Sequence, residues 1–332
     1  MTIRNTRTAR AIAAITLAAA VASPLTSAPA SATTTVTCPG QPSPVSAAQV
    51  DRAWTIAAAR LSALAGPRTL PFGATGTSRY LRTGPTAWTS GFYPASLWLA
   101  YQRTMDPAWL DRARAYTSLV LPMARWTGTH DLGFMVGLPT GLARDLDPDP
   151  TRAARYADAR LTAARTLSTR WNGRVGALLS ARYDGRWGVI IDSAMNAPLL
   201  IEEGTRIGGV DGRRLVRRGT THLRTLARDF VRPDGSTFHR QSYDPRTGRL
   251  LGPIAGQGLS TGSTWARGQA WAVNGFAQGV RLTGDLVLLD AARRTADLWM
   301  SRVPAGCVPA WDLDVTRASA PLDSSAAAIL AD

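Results

Sequence analysis

Gly188-Val189-Ile190-Ile191-Asp192-Ser193-Ala194-Met195-Asn196-Ala197-Pro198-Leu199-Leu200 sets one carboxylate between a run of three aliphatic residues and a second apolar segment. The Val-Ile-Ile run is β-like and the segment after Asp192 has helical spacing, so the acid sits where one element gives way to another. A carboxyl group taken out of water loses solvation as an anion, and its pKa rises unless hydrogen bonds or cations hold the charged form. That is the environment a general acid needs near neutral pH. An Asp at such a junction is also a good helix N-cap, so from this stretch alone both readings stand.

Outward from this stretch the chain reads as mainly helical. Val50, Trp54, Ala57, Leu61 and Leu64 recur at three and four residue steps behind Ser46, and Leu97, Trp98 and Tyr101 form a second apolar face after Trp88-Thr89-Ser90-Gly91-Phe92-Tyr93-Pro94. Asp106-Pro107 is a cap followed by an N1 proline, starting a third helix. Further helical segments are predicted near 150–170, 193–203, 211–231, 264–282, 285–301 and 319–331. Two places read as strands, 175–187 and 237–251, the second with a hairpin turn at Tyr243-Asp244-Pro245-Arg246-Thr247-Gly248. A succession of helices joined by long loops rich in Gly, Trp and polar residues predicts an all-α toroid with function on the loops at one end.

The composition narrows the function classes. Eleven Trp against six Phe and seven Tyr suits stacking on sugar rings. Residues 1–32 read as a secretory signal peptide, with Arg4, Arg7 and Arg10 ahead of an apolar run from Ala11 to Ala22 and Ala-x-Ala sites ending at Ala30 and Ala32. The run is too short to span a bilayer comfortably, so no membrane span is predicted. Residues 33–45 read as a short polar linker, and 46–332 as a single domain. Removing three Arg and no acid with the signal lowers the formal charge from +15 to +12, which still favours acidic partners. Nucleic acid and acidic polysaccharide are both candidates, and no helix-turn-helix, zinc-finger or RNA-binding fingerprint is present, so no nucleic-acid partner is predicted. Cys38 and Cys307 permit one disulfide in an exported chain. Three His and two Cys at no ligand spacing argue against a metal site.

Three further stretches carry chemistry. Asp131 lies in Thr129-His130-Asp131-Leu132-Gly133-Phe134-Met135, 61 residues before Asp192, and two carboxylates in unlike environments let one site keep an acid and an anion at the same pH. Gln257 to Trp271 holds two Trp, two Gln and an Arg; a cap at Ser263 or Thr264 places Arg267 in a first helical turn, where N–H groups and the dipole attract anions, with Trp271 one turn further on the same face. His239 follows the Pro233-Asp234-Gly235 turn and is close in sequence to that stretch.

The ordered set Trp88 to Phe92, His130 to Phe134, Ile190-Ile191-Asp192, Arg232 to His239 and Trp265 to Trp271 resembles the unsaturated glucuronyl hydrolases, glycoside hydrolase family 88, from about residue 46 onward. The resemblance implies an α6/α6 barrel with small β-hairpin insertions in the active-site loops. It also implies cleavage of the 4,5-unsaturated uronic acid at the non-reducing end of lyase-generated glycosaminoglycan fragments, without metal or organic cofactor. The family's reaction is hydration of the C4=C5 vinyl ether. Asp192 matches its general acid and base and Asp131 its second essential Asp. His239, Gln257, Trp265, Arg267 and Trp271 match positions contacting the unsaturated sugar, and Trp88, Phe92 and His130 line the same pocket. Two loops depart from the family pattern, Gly258-Leu259-Ser260-Thr261-Gly262 and the position of Ala181-Arg182, where an aromatic is usual; both bear on the leaving sugar. The C-terminal Asp323 to Asp332 resembles the start of a family helix that more chain should follow, so the barrel is expected to be truncated there. An unsaturated rhamnogalacturonyl or ulvan-type hydrolase is the alternative enzyme, and a non-catalytic binder of acidic polysaccharide the alternative outside enzymes.

Overall fold

Ser46 accepts from the Gln49 N–H while Gln49 reaches back to the Ser46 N–H, a capping box that starts α1 (Ala47–Ala63). Asp106 with Pro107 opens α3 (Pro107–Val120), Asp149 with Pro150 opens α5 (Pro150–Ser168), and Asp285 opens α9 (Leu286–Arg302), each carboxylate accepting from first-turn N–H groups. Between and after them run α2 (Phe92–Thr104), α4 (Leu138–Leu146), α6 (Ala197–Ile207), α7 (Gly209–Phe230), α8 (Ala266–Thr283) and α10 (Ser324–Ala331). The computed structural model describes residues 45–66, 69–75, 79–304, 308–317 and 319–331. The predicted signal peptide, nearly all of the linker, Cys38 and Cys307 lie outside the described residues. Among the described residues no helix is long and apolar enough to cross a membrane.

Consecutive helices pack in pairs, α2 with α3, α4 with α5, α6 with α7 and α8 with α9. Even-numbered helices also pack on one another (α2 on α4, α6 on α8, α8 on α10), and so do odd-numbered ones (α5 on α7, α7 on α9). This alternation is that of an α/α barrel, with the even-numbered helices forming the inner layer. Sequence follows position: α8 buries Ala266, Gly268, Gln269, Ala270, Trp271, Ala272, Gly275, Phe276 and Gly279, whereas α9 exposes Leu286, Val287 and Met300. The layers are locked by fully buried side chains such as Trp98, whose indole Nε1 donates to Thr117 Oγ1 at 2.8 Å.

Among the described residues strands occur only as short insertions. They are the hairpin β1 (Leu70–Thr75) with β2 (Arg79–Thr83), the pair β3 (Trp171–Asn172) with β4 (Ala177–Leu178), and an antiparallel sheet of β5 (Ala181–Tyr183), β6 (Arg186–Ile190), β7 (Arg240–Tyr243) and β8 (Leu250–Pro253) in that order. The β6–β7 register pairs Ile190 with Arg240, and the Ile191 N–H donates to His239 O at 3.0 Å. That register brings the chain on either side of α6 and α7 together, with Asp192 and His239 just beyond the paired ends.

Several boundaries differ from the sequence expectations. The β1–β2 hairpin falls outside the two places expected as strands, because six residues with little alternation carry no strand signal. Helix α4 was not anticipated, since Pro139 and Gly141 interrupt its pattern; a proline in the first turn is compatible with a helix. The segment expected as helix from 193 is a 3-10 turn, Ile191–Met195, followed by α6 from Ala197, so Asp192 does not cap that helix. Helix α8 begins at Ala266 without a side-chain cap, not behind Ser263 or Thr264. The last helix starts at Ser324, because Asp323 accepts from the Ala326 N–H and starts it there.

Gly91 shows how closely the turns ahead of α2 and α4 approach. A Cβ at Gly91 would lie 1.9 Å from Phe134 O and 2.7 Å from Met135 O, both backbone atoms that cannot rotate away. Gly91→Ala is therefore expected to lower stability by about 1–3 kcal/mol, as overpacking does. Urea unfolding checks this, and an unchanged midpoint would show that the two turns separate at no cost.

Candidate active site

Four of the inner helices share a feature that places the site. α1, α3, α5 and α9 carry their own side-chain caps and α7 does not, and Asp323 caps α10, whereas the inner helices α2, α4, α6 and α8 have none. Their N-terminal ends instead emerge from the turns that hold the predicted functional residues: Trp88–Gly91 before α2, Asp131 and Gly133–Gly137 before α4, Ile191–Met195 before α6, and Trp265 before α8. The turns before α2 and α4 pack on each other, and the Asp192 turn packs on α8. Helix N-termini carry partial positive charge, so their convergence favours an anionic ligand.

Asp192 is the centre of this arrangement. Its side chain is 13% exposed, and Oδ2 makes no hydrogen bond among the described residues. Burial pushes its pKa up and the negative charge of Asp131 adds to this, against a backbone hydrogen bond and the charges of Arg267 and Arg240; the result is about 7. His239 Nε2 lies 3.7 Å from Asp192 Oδ2. The Gln257 N–H donates to His239 Nδ1 at 2.7 Å, which puts the proton of the neutral ring on Nε2, facing Asp192. Burial, with the charges of Arg240 and Arg267, lowers the His239 pKa to about 3, so the ring is neutral at physiological pH.

Asp131 is held by Thr129, whose Oγ1 donates to Asp131 Oδ2 at 2.7 Å and accepts from the Asp131 N–H at 3.1 Å. Its Oδ1 is 3.6 Å from His130 Nε2, and burial keeps the His130 pKa below the ordinary value despite that neighbour. The Asp131 and Asp192 turns are clasped by Asn196, fully buried, whose Oδ1 accepts from the Phe134 N–H at 3.2 Å. Gly133 makes the clasp possible, because a Cβ there would stand 2.7 Å from Asn196 Oδ1 and 2.8 Å from its Cα.

Aromatic rings wall the site. Phe134 lies 5.8 Å from Trp88, 5.3 Å from Phe92 and 5.0 Å from Trp271, centroid to centroid. Trp88, at 37% exposed, is the open member, whereas Trp271 is buried against Phe134 and so forms wall, with its ring largely shielded from a stacking sugar. Trp265 stands between His239 (4.5 Å) and the Arg267 guanidinium (4.6 Å). The Trp271 Nε1, His130 Nδ1, His239 Nε2 and Asp192 Oδ2 are all buried without a hydrogen bond among the described residues. Buried polar atoms left unpaired are costly, and several in one site mark where a polar ligand bonds.

All ten residues singled out in the sequence therefore belong to this region. Sequence reasoning missed Phe134 as the hub of the aromatic wall, Asn196, and the buried His222. The His222 Nδ1 accepts from the Leu178 N–H, and its Nε2 faces Ser193 Oγ at 2.9 Å, which in turn donates to Ile190 O at 2.5 Å. This chain pins the residue next to Asp192. His222 sits mid-helix with no motif around it, so no local signal could have found it. Next to Ala181-Arg182, the ring of Tyr183 rests over Gly188, 5.6 Å from the Arg240 guanidinium. The Gly258 to Gly262 loop is held by buried Asp312, which accepts from the Leu259 N–H at 2.8 Å and Ser263 Oγ at 2.7 Å.

No protein-family model matches the chain. It is 36% identical over 249 residues to an unsaturated glucuronyl hydrolase of Formosa agariphila, covering 73% of this chain and 61% of that protein. It is 34% identical over 264 residues to the unsaturated glucuronyl hydrolase of Bacillus sp. strain GL1, covering 77% and 68%. Among solved structures, an unsaturated glucuronyl hydrolase specific for heparin superposes with a TM-score of 0.76 at 31% identity, over 83% of this chain and 74% of that one. The chain thus spans about three fifths to two thirds of the length of these two curated relatives.

Proposed function

Since this chain belongs to the unsaturated glucuronyl hydrolase family, we propose that it removes the 4,5-unsaturated uronic acid from the non-reducing end of lyase-generated oligosaccharides, of glycosaminoglycan type. The observation that carries the proposal is Asp192, a buried carboxyl with a pKa of about 7 and an unpaired Oδ2, beside a neutral His239 and the charge of Asp131. Such a group holds a proton near neutral pH and can give it to carbon.

In the proposed reaction Asp192 protonates C4 of the C4=C5 bond, which leaves positive charge shared between C5 and the ring oxygen. Water adds at C5 and returns a proton to the Asp192 carboxylate. The resulting hemiketal opens and expels the remaining sugar, so the acid is regenerated and no other reactant is needed. The negative Asp131 stabilises the cationic intermediate, and the aromatic wall of Trp88, Phe92 and Phe134 excludes bulk water. Arg267, with Gln257 beside it, pairs with the uronate carboxylate. Export after removal of residues 1–32 belongs to the same proposal and rests on the Arg4, Arg7, Arg10 and Ala-x-Ala pattern.

The test follows the ultraviolet absorbance of the conjugated C4=C5 uronate on lyase-produced chondroitin, hyaluronan, heparin and ulvan fragments. Loss of absorbance on a glycosaminoglycan fragment supports the proposal. Loss on ulvan fragments alone would assign the ulvan-type leaving sugar, and no loss on any with a folded protein would overturn the enzymatic reading.

A further inference from the structure

Arg267 enters the site with one of its terminal nitrogens already engaged. Its Nη1 donates to Asp323 Oδ2 at 2.8 Å and to Ser325 Oγ at 3.1 Å, and its Nη2 makes a longer bond of 3.3 Å to Gln257 Oε1. The guanidinium also stacks on Trp265. Among the described residues its Nε has no hydrogen-bond partner. A guanidinium offers five donors in a rigid fork, so engaging Nη1 leaves the Nε–Nη2 edge, the bidentate edge for a carboxylate.

Asp323 is itself fixed from three sides. Its side chain is 8% exposed, Oδ1 accepts from the Ala326 N–H at 3.1 Å and from Ser325 Oγ at 2.5 Å, and its own N–H donates to Pro309 O at 2.9 Å. Ala326 is buried against Ala266 and Ala270 of α8. One carboxylate thus does two things: Oδ1 caps α10 and Oδ2 holds Arg267, so the start of the tenth helix is tied to the site formed by the eighth. Resting on the functional reading above, we infer that Asp323 is a positioning residue that orients Arg267 so that its Nε–Nη2 edge, held only by the long Nη2 bond to Gln257, meets the uronate carboxylate. A long side chain held in its bound conformation loses less freedom when the ligand arrives, and the gain appears as affinity.

The experiment separates this role from helix capping. Asn and Ser both cap helices well, so Asp323→Asn and Asp323→Ser keep an oxygen for the α10 N-terminus while removing the charged partner of Arg267. In an Asp192→Asn background, which binds without turnover, calorimetry with the unsaturated disaccharide consumed by the parent enzyme gives Kd for the parent, each Asp323 variant, Arg267→Ala and the combinations. We expect each Asp323 variant to weaken binding on the order of tenfold, and no further loss when the same change is made in the Arg267→Ala background. With Asp192 restored, KM rises by a similar factor and kcat stays within about twofold. Unchanged affinity in both Asp323 variants, or equal weakening with and without Arg267, overturns the inference. Melting temperatures confirm that at least one variant keeps the fold. If neither does, Ser325→Ala, which removes the second Nη1 partner, is read instead, and an unchanged Kd there overturns the inference. If the Asp192→Asn parent binds no lyase-derived disaccharide, the functional reading fails first and takes the inference with it.

Discussion

Asp192→Asn is expected to lower turnover of the preferred lyase product by about 1,000-fold or more, while affinity for that product stays within about threefold. The amide keeps the shape of the carboxyl and its place between His239 and the Asp131 turn, but it has no proton to give to carbon. Absorbance of the conjugated uronate reads the rate, and undiminished turnover would remove Asp192 from the mechanism. The parent enzyme's pH profile follows from the same group. Asp192 acts as an acid only when protonated, and its pKa of about 7 means that kcat/KM falls as pH rises through about 7. The sign for stability is worked out likewise. The folded state holds the Asp192 proton more tightly than an unfolded carboxyl with a pKa of 3.8, so this contribution is fully present below about 4 and is lost as pH rises through about 7. That interval corresponds to at most about 4 kcal/mol. Asp192→Asn, which cannot ionise, should therefore melt higher than the parent at pH 8 and close to it at pH 4. Calorimetric melts at the two pH values check this, and equal differences at both would show that Asp192 is not a strained anion.

Arg160→Met is the second large effect, on stability. Arg160 Nε donates to Glu203 Oε1 at 2.9 Å, its Nη2 reaches Glu202, and its Nη1 donates to the backbone carbonyl of Gly137. Glu203 is fully buried on α6, with Arg206 at 2.8 Å on its other oxygen. Taking away the buried partner leaves a carboxylate short of charge compensation in a low-dielectric place, at a cost of about 3–5 kcal/mol. Replacing both members, Arg160→Met with Glu203→Gln, should recover part of that loss, because the uncompensated charge goes as well. Urea unfolding of the two variants decides it: a single variant within about 1 kcal/mol of the parent would show that Arg206, with Arg144 Nη1 at 3.7 Å from Glu203 Oε1, carries the compensation alone. The Gly137 bond adds a functional consequence. It anchors the end of the turn that follows Asp131, so Arg160→Met should also lower kcat/KM in assays run well below its unfolding midpoint.

The local readings that held are those with local causes. Ser46 and Asp106 each satisfy N–H groups two or three residues away, so the caps of α1 and α3 were visible in the residues themselves. Asp192 also resembles a cap locally, and only the register of β6 on β7, with a 3-10 turn after it, shows that its carboxyl faces His239 and not the N–H groups of α6. Asn196, His222 and Asp323 had no signal because each acts through partners far away in the chain: Phe134, Ser193 and Leu178, and Arg267.

By itself the sequence determined that the chain is helical, that its loops carry the two Asp, His239 and the Trp-rich Arg267 stretch, and that these suit an anionic sugar. Spacing and cap chemistry act over a few residues, so they are written in the chain. Only the tertiary structure decided that Asp131 raises the proton affinity of Asp192 across 61 residues, that Trp271 is wall and Trp88 the open ring, and that Arg267 is held by Asp323. Those outcomes depend on which groups lose water together and how closely their charges lie, and burial and distance exist only once the inner helices have brought their N-terminal ends to one place.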